Sequence, residues 1–375
     1  MAGIYIHIPF CSQRCSYCDF YTRVAPRQID DTVNAIVREM EIRADYLKGE
    51  PVQTIYFGGG TPSLLTAEQF QRIFDRLYTL FEVNSEAEIT FEANPDDLKP
   101  AFFDSIKHLP FNRISIGIQS FDDVQLKKIN RRHSGDEAIA AFTNARSAGF
   151  DNISIDLIYG LPLQSKQSWE LQLDKALSLG AEHISIYGLT YEVGTPLHKL
   201  RELGRVSSAD DSEMIEMHKL MLRKIEQAGY EAYEVSNFAK PGLRSQHNSA
   251  YWKMTPYLGL GPSAHSYDGD SRQWNVSSIK EYNLNIVEGG DFYEREVLTL
   301  LDKYNEYIMV AFRTKEGVNR TYLAENFGDT FLDKFNGTAQ KYIESKHMVI
   351  NNQHVLLTLD GILISNLLIE DFVLV

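Results

Sequence analysis

The chain has 375 residues, of which 43% are hydrophobic and 23% are charged, a composition typical of a globular protein with a substantial core. Its formal net charge of -14 at pH 7 argues against a general nucleic-acid binder, which needs a basic surface. The chain has only 3 cysteines. They are closely spaced and odd in number, which is not the pattern of a disulfide framework.

The amino terminus shows no basic segment followed by an apolar core, so we expect no secretory signal. No apolar run is long enough to span a bilayer. Both observations, with the odd thiol count, predict a cytoplasmic protein. Peripheral membrane contact and homodimerisation are left open by the sequence.

Strands and helices are predicted to alternate through most of the chain. The first strand, at 3–9, opens into the cysteine loop, and a helix follows in which Ile29, Val33 and Ile36 share one face. Five more predicted strands are each followed by a helix; they lie at 54–57, 88–92, 113–118, 152–157 and 183–188. A short seventh strand is predicted at 233–235. Regular alternation of this kind is typical of parallel strands joined by helical crossovers.

Polar residues and glycines stand at the ends of successive predicted strands. Glu92 and Gln119 lie at or next to strand ends, and Asp156 lies near the end of its strand. In a barrel these positions meet at one rim, whereas an open doubly wound sheet shows one dominant phosphate loop. We therefore predict an α/β fold, a partial (β/α)6-type barrel over residues 1–290.

The character of the chain changes at about residue 291. Helices are predicted at 294–307, 320–327 and 331–345, a hairpin at 348–359, and a last apolar helix or strand at 361–373. This order predicts a small winged-helix-like α+β domain over 291–375. That segment has eight basic against thirteen acidic side chains, which disfavours DNA binding.

Cys11, Cys15 and Cys18 are spaced to fit one tight loop after the first strand. Thiolates suit zinc or an iron–sulfur cluster. Structural zinc usually takes four ligands in two separated pairs, and no second pair exists here. Three thiolates on a cubane leave one iron open to a small molecule, which favours an open iron–sulfur cluster over three unliganded thiols.

A glycine-rich turn, Gly58-Gly59-Gly60-Thr61-Pro62, follows the second strand and precedes a helix. Such a turn lets a ligand approach the backbone closely, but it lacks the lysine of a phosphate-binding P-loop. Glu92, Gln119, Arg131 and Asp156 are candidates for contacts to ribose hydroxyls or to an amino acid, because carboxylates accept hydrogen bonds and arginine pairs with a carboxylate. Each could equally be an ordinary surface or ion-paired residue.

The pattern Cys-x3-Cys-x2-Cys, the Gly-Gly-Gly-Thr-Pro turn and the predicted barrel together resemble the radical S-adenosylmethionine (SAM) superfamily. More narrowly, four motifs resemble the oxygen-independent coproporphyrinogen III oxidase-like branch: 5–11, 91–95, 117–121 and 156–162. The resemblance implies a [4Fe–4S] cluster on Cys11, Cys15 and Cys18, with SAM on the fourth iron. By motif position, the residues implied to line the SAM region are Tyr5, Tyr17, Gly59, Gly60, Thr61, Glu92, Gln119, Arg131 and Asp156.

Two features bear on the subfamily. The true oxidases have another cysteine two residues after the third, where this chain has Phe20, and they carry a longer amino-terminal extension. The segment 247–252, His-Asn-Ser-Ala-Tyr-Trp, resembles the His-Asn-x-x-Tyr-Trp motif of the HemW-type haem chaperones. The resemblance implies haem as cargo, client proteins that receive it, and His247 as a haem ligand.

A radical SAM enzyme of porphyrin metabolism, with coproporphyrinogen III oxidase activity or a related one, is the alternative to a haem chaperone. For His247 itself the alternative is a structural role, in which the histidine satisfies neighbouring polar groups and the aromatic residues of the segment lie in the core.

Overall fold

Six parallel strands form the middle of a twelve-stranded sheet in the computed structural model, which describes residues 1–375. They run in chain order across the sheet, as expected for right-handed strand–helix units. Their bounds are β1 Ala2–Ile8, β2 Val52–Gly59, β3 Val83–Ala93, β4 Arg113–Gln119, β5 Ile153–Tyr159 and β6 His183–Gly188.

Helices in the connections cover the outer face of this sheet. Their bounds are α1 Ile29–Ile42, α2 Ala67–Leu80, α3 Pro100–Ile106, α4 Asp123–Lys128, α5 Gly135–Ser147, α6 Lys166–Leu179, α7 Pro196–Glu202 and α8 Asp211–Gln227. Capping boxes begin α2 and α5, where Thr66 pairs with Gln69 and Ser134 pairs with Glu137. The apolar faces of these helices and the outward-facing strand residues form one large buried core.

Short strands extend the sheet at both edges and leave it open. The elements are β7 Glu231–Ala232, β8 Asn237–Ala239, α9 Gln246–Trp252, β9 Tyr257–Leu260, β10 His265–Tyr267, β11 Ser271–Asn275, α10 Ile279–Glu288 and β12 Tyr293–Val297. The strand order is β12-β11-β10-β9-β1-β2-β3-β4-β5-β6-β8-β7. Because β12 and β7 are both edge strands, the barrel is incomplete, which confirms the predicted partial (β/α)6 architecture.

Two local predictions differ from the structure. Residues 233–235, predicted as a strand, lie between β7 and β8, which pair antiparallel with each other and with β6. The segment from 293 to 297, predicted mainly as the start of a helix, is the edge strand β12, paired with β11. All five of its residues are exposed, so no buried face distinguished strand from helix in the sequence.

The carboxyl-terminal part has its own core and a three-stranded antiparallel sheet, which contains the predicted hairpin and a short third strand that was not predicted. Its elements are α11 Leu300–Ala311, β13 Val318–Asn319, α12 Arg320–Phe327, α13 Asp329–Glu344, β14 Met348–Asn351, β15 His354–Leu357, α14 Leu359–Leu363 and α15 Ser365–Glu370. The division of the chain at residue 290 stays a prediction. The pairing of β12 with the large sheet favours a boundary slightly later.

None of the helices combines the length and the apolar character that crossing a membrane requires.

Candidate functional site

A cavity of about 520 Å³ opens at the carboxyl ends of the parallel strands, where the connecting loops converge. It brings together side chains from the cysteine loop, the glycine turn and the ends of β3 to β6. Eleven of the residues singled out in the sequence line it: Cys11, Cys15, Tyr17, Cys18, Gly59, Gly60, Thr61, Glu92, Gln119, Arg131 and Asp156.

The cysteine loop is held at its base by backbone hydrogen bonds. The Cys11 amide donates to the Arg23 carbonyl at 3.0 Å, and the Arg23 amide donates to the Pro9 carbonyl at 2.8 Å. All three thiols are free and partly buried. Burial raises the pKa of Cys18 to about 11 and also raises the pKa of Cys11, so both thiols hold their protons at neutral pH without a metal.

The three thiols do not converge on one point that could hold a single metal ion. In a cubane cluster each cysteine binds a different iron, so its ligands stand farther apart than those of one zinc ion. All three thiols line the same cavity, and soft sulfur donors suit an iron–sulfur cluster.

Arg131 brings a partly buried positive charge to the cysteines, although it lies in the connection between α4 and α5. Its Nη1 donates to the Cys15 sulfur at 3.5 Å, and its Nη2 donates to the Gly117 carbonyl. Its Nε is buried with no hydrogen-bond partner. A guanidinium on a cavity wall, with N–H groups beyond the two that bond to the protein, fits an anionic ligand group such as a carboxylate.

The glycine turn is required by close packing of the chain rather than by space for a ligand. A Cβ on Gly59, whose φ is +104°, would lie 2.6 Å from the His7 ring. A Cβ on Gly60 would lie 2.5 Å from the Phe10 carbonyl oxygen. The glycines thus let the turn lie directly against the start of the cysteine loop, where Thr61 Oγ1 donates to the Cys11 sulfur at 3.5 Å.

Two partly buried carboxyl groups face the same cavity. Burial raises the pKa of Glu92 to about 7 and the pKa of Asp156 to about 6. Glu92 accepts hydrogen bonds from the Tyr56 hydroxyl at 2.8 Å and from the Gly59 amide at 3.2 Å, and Asp156 accepts from the Ser115 hydroxyl at 3.2 Å. Partly buried carboxyls with raised pKa values and spare acceptor positions in a cleft are typical of a ligand site.

Gln119 closes β4 in a left-handed backbone conformation, with φ at +66°. Non-glycine residues adopt this conformation at a cost, and such residues concentrate at functional sites. Its side-chain amide lines the cavity and makes no hydrogen bond within the protein.

Tyr5 does not line the cavity. It lies in the middle of β1, beneath the rim, where its hydroxyl is 3.1 Å from His7 Nδ1 and its ring stacks on Tyr56 at 6.2 Å. A side chain that points into a barrel from the middle of a strand is covered by the side chains nearer the strand end. A motif in the sequence does not show how far below the cavity such a side chain lies.

His247 is 2% exposed and lies in α9, away from the cysteine cavity. Its Nδ1 is 2.8 Å from Thr54 Oγ1, its Nε2 is 3.0 Å from the Tyr251 hydroxyl, and its ring stacks on Tyr56 at 5.0 Å. Burial lowers its pKa to about 3, so the ring is neutral, with one nitrogen donating and the other accepting. Both nitrogens are occupied, so the geometry favours the structural alternative, and haem ligation by His247 stays an unsupported prediction.

Several residues of the cavity were not singled out as candidates in the sequence. Asn94 donates to Thr61 Oγ1 at 3.1 Å, Ser115 holds Asp156, and Tyr187 lies at the mouth near the end of β6. The position of Tyr187 near the end of a predicted strand could have identified it as a cavity residue from the sequence. Ser115 lies two residues into β4, where an inward-pointing serine has no distinctive sequence pattern.

Comparison with known proteins decides the family. The Radical SAM superfamily model matches residues 5–175 and the HemN C-terminal domain model matches residues 298–364. The haem chaperone HemW of Bacillus subtilis is 37% identical over 371 residues, which is 98% of this chain and 97% of that protein. This chain belongs to the HemW-type branch of the radical SAM superfamily.

Other members agree with this assignment. The haem chaperone HemW of Escherichia coli strain K12 is 33% identical over 322 residues, which is 85% of this chain and 84% of that protein. The solved structure of the radical SAM enzyme coproporphyrinogen III oxidase (HemN) from Escherichia coli has a TM-score of 0.86 and 23% identity. The match covers 99% of this chain and 90% of that one. At that identity the likeness shows a shared fold, which includes the partial barrel and the carboxyl-terminal part (residues 300–375, called the tail below).

Proposed function

We propose that this chain is a haem chaperone, which binds haem and transfers it to client proteins, with a [4Fe–4S] cluster and SAM in the cysteine cavity. The observation that carries the proposal is the match to proteins named haem chaperones over almost the full length of the chain, with the barrel and tail in one alignment. We also propose that residues 1–290 form a radical SAM barrel and that residues 291–375 form a small carboxyl-terminal domain.

Cys11, Cys15 and Cys18 would hold the cluster, which when bound supplies an electron for the reductive chemistry of SAM. Arg131 lies 3.5 Å from the Cys15 sulfur and counters the negative charge that a thiolate ligand brings. The three cysteines lie on one side of the cavity wall and leave the rest open for a small molecule.

The remaining wall suits the polar groups of SAM. Glu92 and Asp156 can accept hydrogen bonds from hydroxyls or an ammonium group, and the guanidinium of Arg131 can donate to a carboxylate. The unbonded amide of Gln119 adds a donor and an acceptor. Asn94 and Thr61 fix each other beside Cys11, so this part of the wall is rigid before a ligand arrives.

Phe20 distinguishes the proposal from the alternative, a radical SAM enzyme of porphyrin metabolism. Its side chain lines the cavity and is 66% exposed. A phenyl ring at this position cannot supply the extra thiol of the oxidase pattern. A large exposed apolar side chain at a cavity mouth is instead suited to contact an apolar ligand or partner.

The deciding experiment is a haemin titration of the purified full-length protein, followed by addition of a haem-free acceptor protein. We expect saturable binding at micromolar haemin and movement of the haem to the acceptor. No binding at micromolar concentrations refutes the chaperone proposal.

A parallel anaerobic incubation with reductant, SAM and coproporphyrinogen III tests the alternative. We expect no protoporphyrinogen, and its formation at catalytic rates would replace the chaperone with the oxidase.

A further inference from the structure

A second and larger cavity, of about 830 Å³, lies between the barrel and the carboxyl-terminal part. One side is formed by Ala2, Gln53 and Thr54, at the amino ends of β1 and β2. The cysteine cavity opens at the carboxyl ends of the same strands, so the two cavities are at opposite ends of the barrel. The volume falls in the range of ligand pockets, roughly 300–1,000 Å³.

Aromatic side chains from both parts of the chain line this second cavity. Trp252 comes from α9, and Tyr307 and Tyr322 come from α11 and α12, with their rings 4.6 Å apart. Tyr233 contributes a further ring from the barrel side. Flat aromatic walls provide a large contact area for a planar apolar molecule at low cost in conformational entropy.

His354, at the start of β15, lies on the wall of this cavity and is partly exposed. Its Nδ1 is 2.7 Å from the backbone carbonyl oxygen of Glu316. A carbonyl oxygen only accepts, so Nδ1 carries the proton and Nε2 of the neutral ring carries a lone pair. Nε2 has no hydrogen-bond partner within the protein. Metal-binding histidines are commonly oriented in this way, by donating their other N–H to a carbonyl.

A cationic side chain without an ion pair lies on the wall. Lys253, at the end of α9, is exposed and forms no ion pair, whereas Arg244 is already paired with Glu231 and with Glu316, which also lines the cavity. A carboxylate side group of a planar ligand can therefore pair with Lys253.

We propose that haem binds in this cavity between the barrel and the tail, with His354 Nε2 as an axial ligand to the iron. The inference rests on the proposed haem-chaperone function and assigns its cargo site. The aromatic walls contact the macrocycle, and Lys253 pairs with a propionate. In this arrangement Trp252, on the outer face of α9, contacts the haem. His247 and Tyr251, on the inner face of the same helix, hydrogen-bond to each other and hold α9 against the barrel.

The test is a haemin titration of the full-length chain, followed by difference absorption spectra and electron paramagnetic resonance of the ferric complex. His354→Ala is compared with wild type and with His347→Ala. His347 is a partly exposed histidine of the same domain, whose Nδ1 contacts the Ser345 hydroxyl. We expect His354→Ala to bind haemin at least about tenfold more weakly and with an altered Soret band. His347→Ala should match wild type, and added imidazole should restore the wild-type spectrum of His354→Ala.

A second variant tests the cavity without touching the ligand. Ala250→Trp, on the outer face of α9, fills the space opposite the tail and should weaken haemin binding while leaving His354 in place. Normal binding and spectra in both His354→Ala and Ala250→Trp would overturn the site while leaving the chaperone function intact. Failure of wild type itself to bind haemin would refute the proposed function, so the two failures are distinguishable.

Discussion

Replacing His247 with alanine tests whether this buried histidine supports the fold or binds haem. The substitution removes a ring stacked on Tyr56 and leaves two buried hydroxyl groups, those of Thr54 and Tyr251, without their partner. Each buried polar group left unpaired costs about 1–3 kcal/mol. Thr54 borders the second cavity, where water can satisfy it, so the lower part of the range applies to that hydroxyl.

Together these losses predict that His247→Ala lowers the free energy of unfolding by about 2–4 kcal/mol. The assay is urea unfolding followed by tryptophan fluorescence, since the chain has 3 tryptophans. His247→Phe keeps the stacked ring and should lose less. The matched control, His347→Ala, should stay within about 0.5 kcal/mol of wild type.

The same variants are then titrated with haemin under conditions in which they remain folded. Both ring nitrogens of His247 are already occupied, so we expect His247→Phe to keep the wild-type Soret band. The reasoning is refuted if His247→Ala changes stability by less than about 1 kcal/mol and at the same time abolishes the haem spectrum. That result would restore the sequence prediction of a haem ligand.

Further predictions concern the cysteine cavity. Cys15→Ser should abolish reconstitution of a [4Fe–4S] cluster, measured by iron and sulfide content, and full cluster content would contradict the assignment. Gly60→Ala places a methyl group 2.5 Å from the Phe10 carbonyl oxygen and should cost about 2–4 kcal/mol, whereas Gly337→Ala in α13, with open space around it, should be neutral or stabilising. The raised pKa of Glu92 means that its contribution to stability is fully present below about pH 4.5 and is lost as the pH rises through about 7. Relative to Glu92→Gln, the cluster-free wild type should therefore lose about 2 kcal/mol between roughly pH 5.5 and 8, and parallel pH profiles would contradict this.

The sequence by itself determined the architecture and most of the cysteine cavity. The six parallel strands follow from local hydrophobic patterns, and parallel strands bring their carboxyl ends to one rim whatever the details of packing. Residues at strand ends, such as Glu92 and Gln119, therefore meet around the cysteines. Arg131 is in a connection, and only its motif position indicated that it would join them.

Only the tertiary structure decided the depth and direction of individual side chains. Tyr5 is covered by the rim, and the ring of His247 points into the barrel while Trp252 on the same helix lines the second cavity. The strand β12 was misread because all its residues are exposed and its pairing partner is distant in sequence. The pairing of His354 with the Glu316 carbonyl, and its place opposite α9, depend on how the tail docks on the barrel. Contacts between distant segments depend on packing that no local spacing records, so these features could be found only in the folded chain.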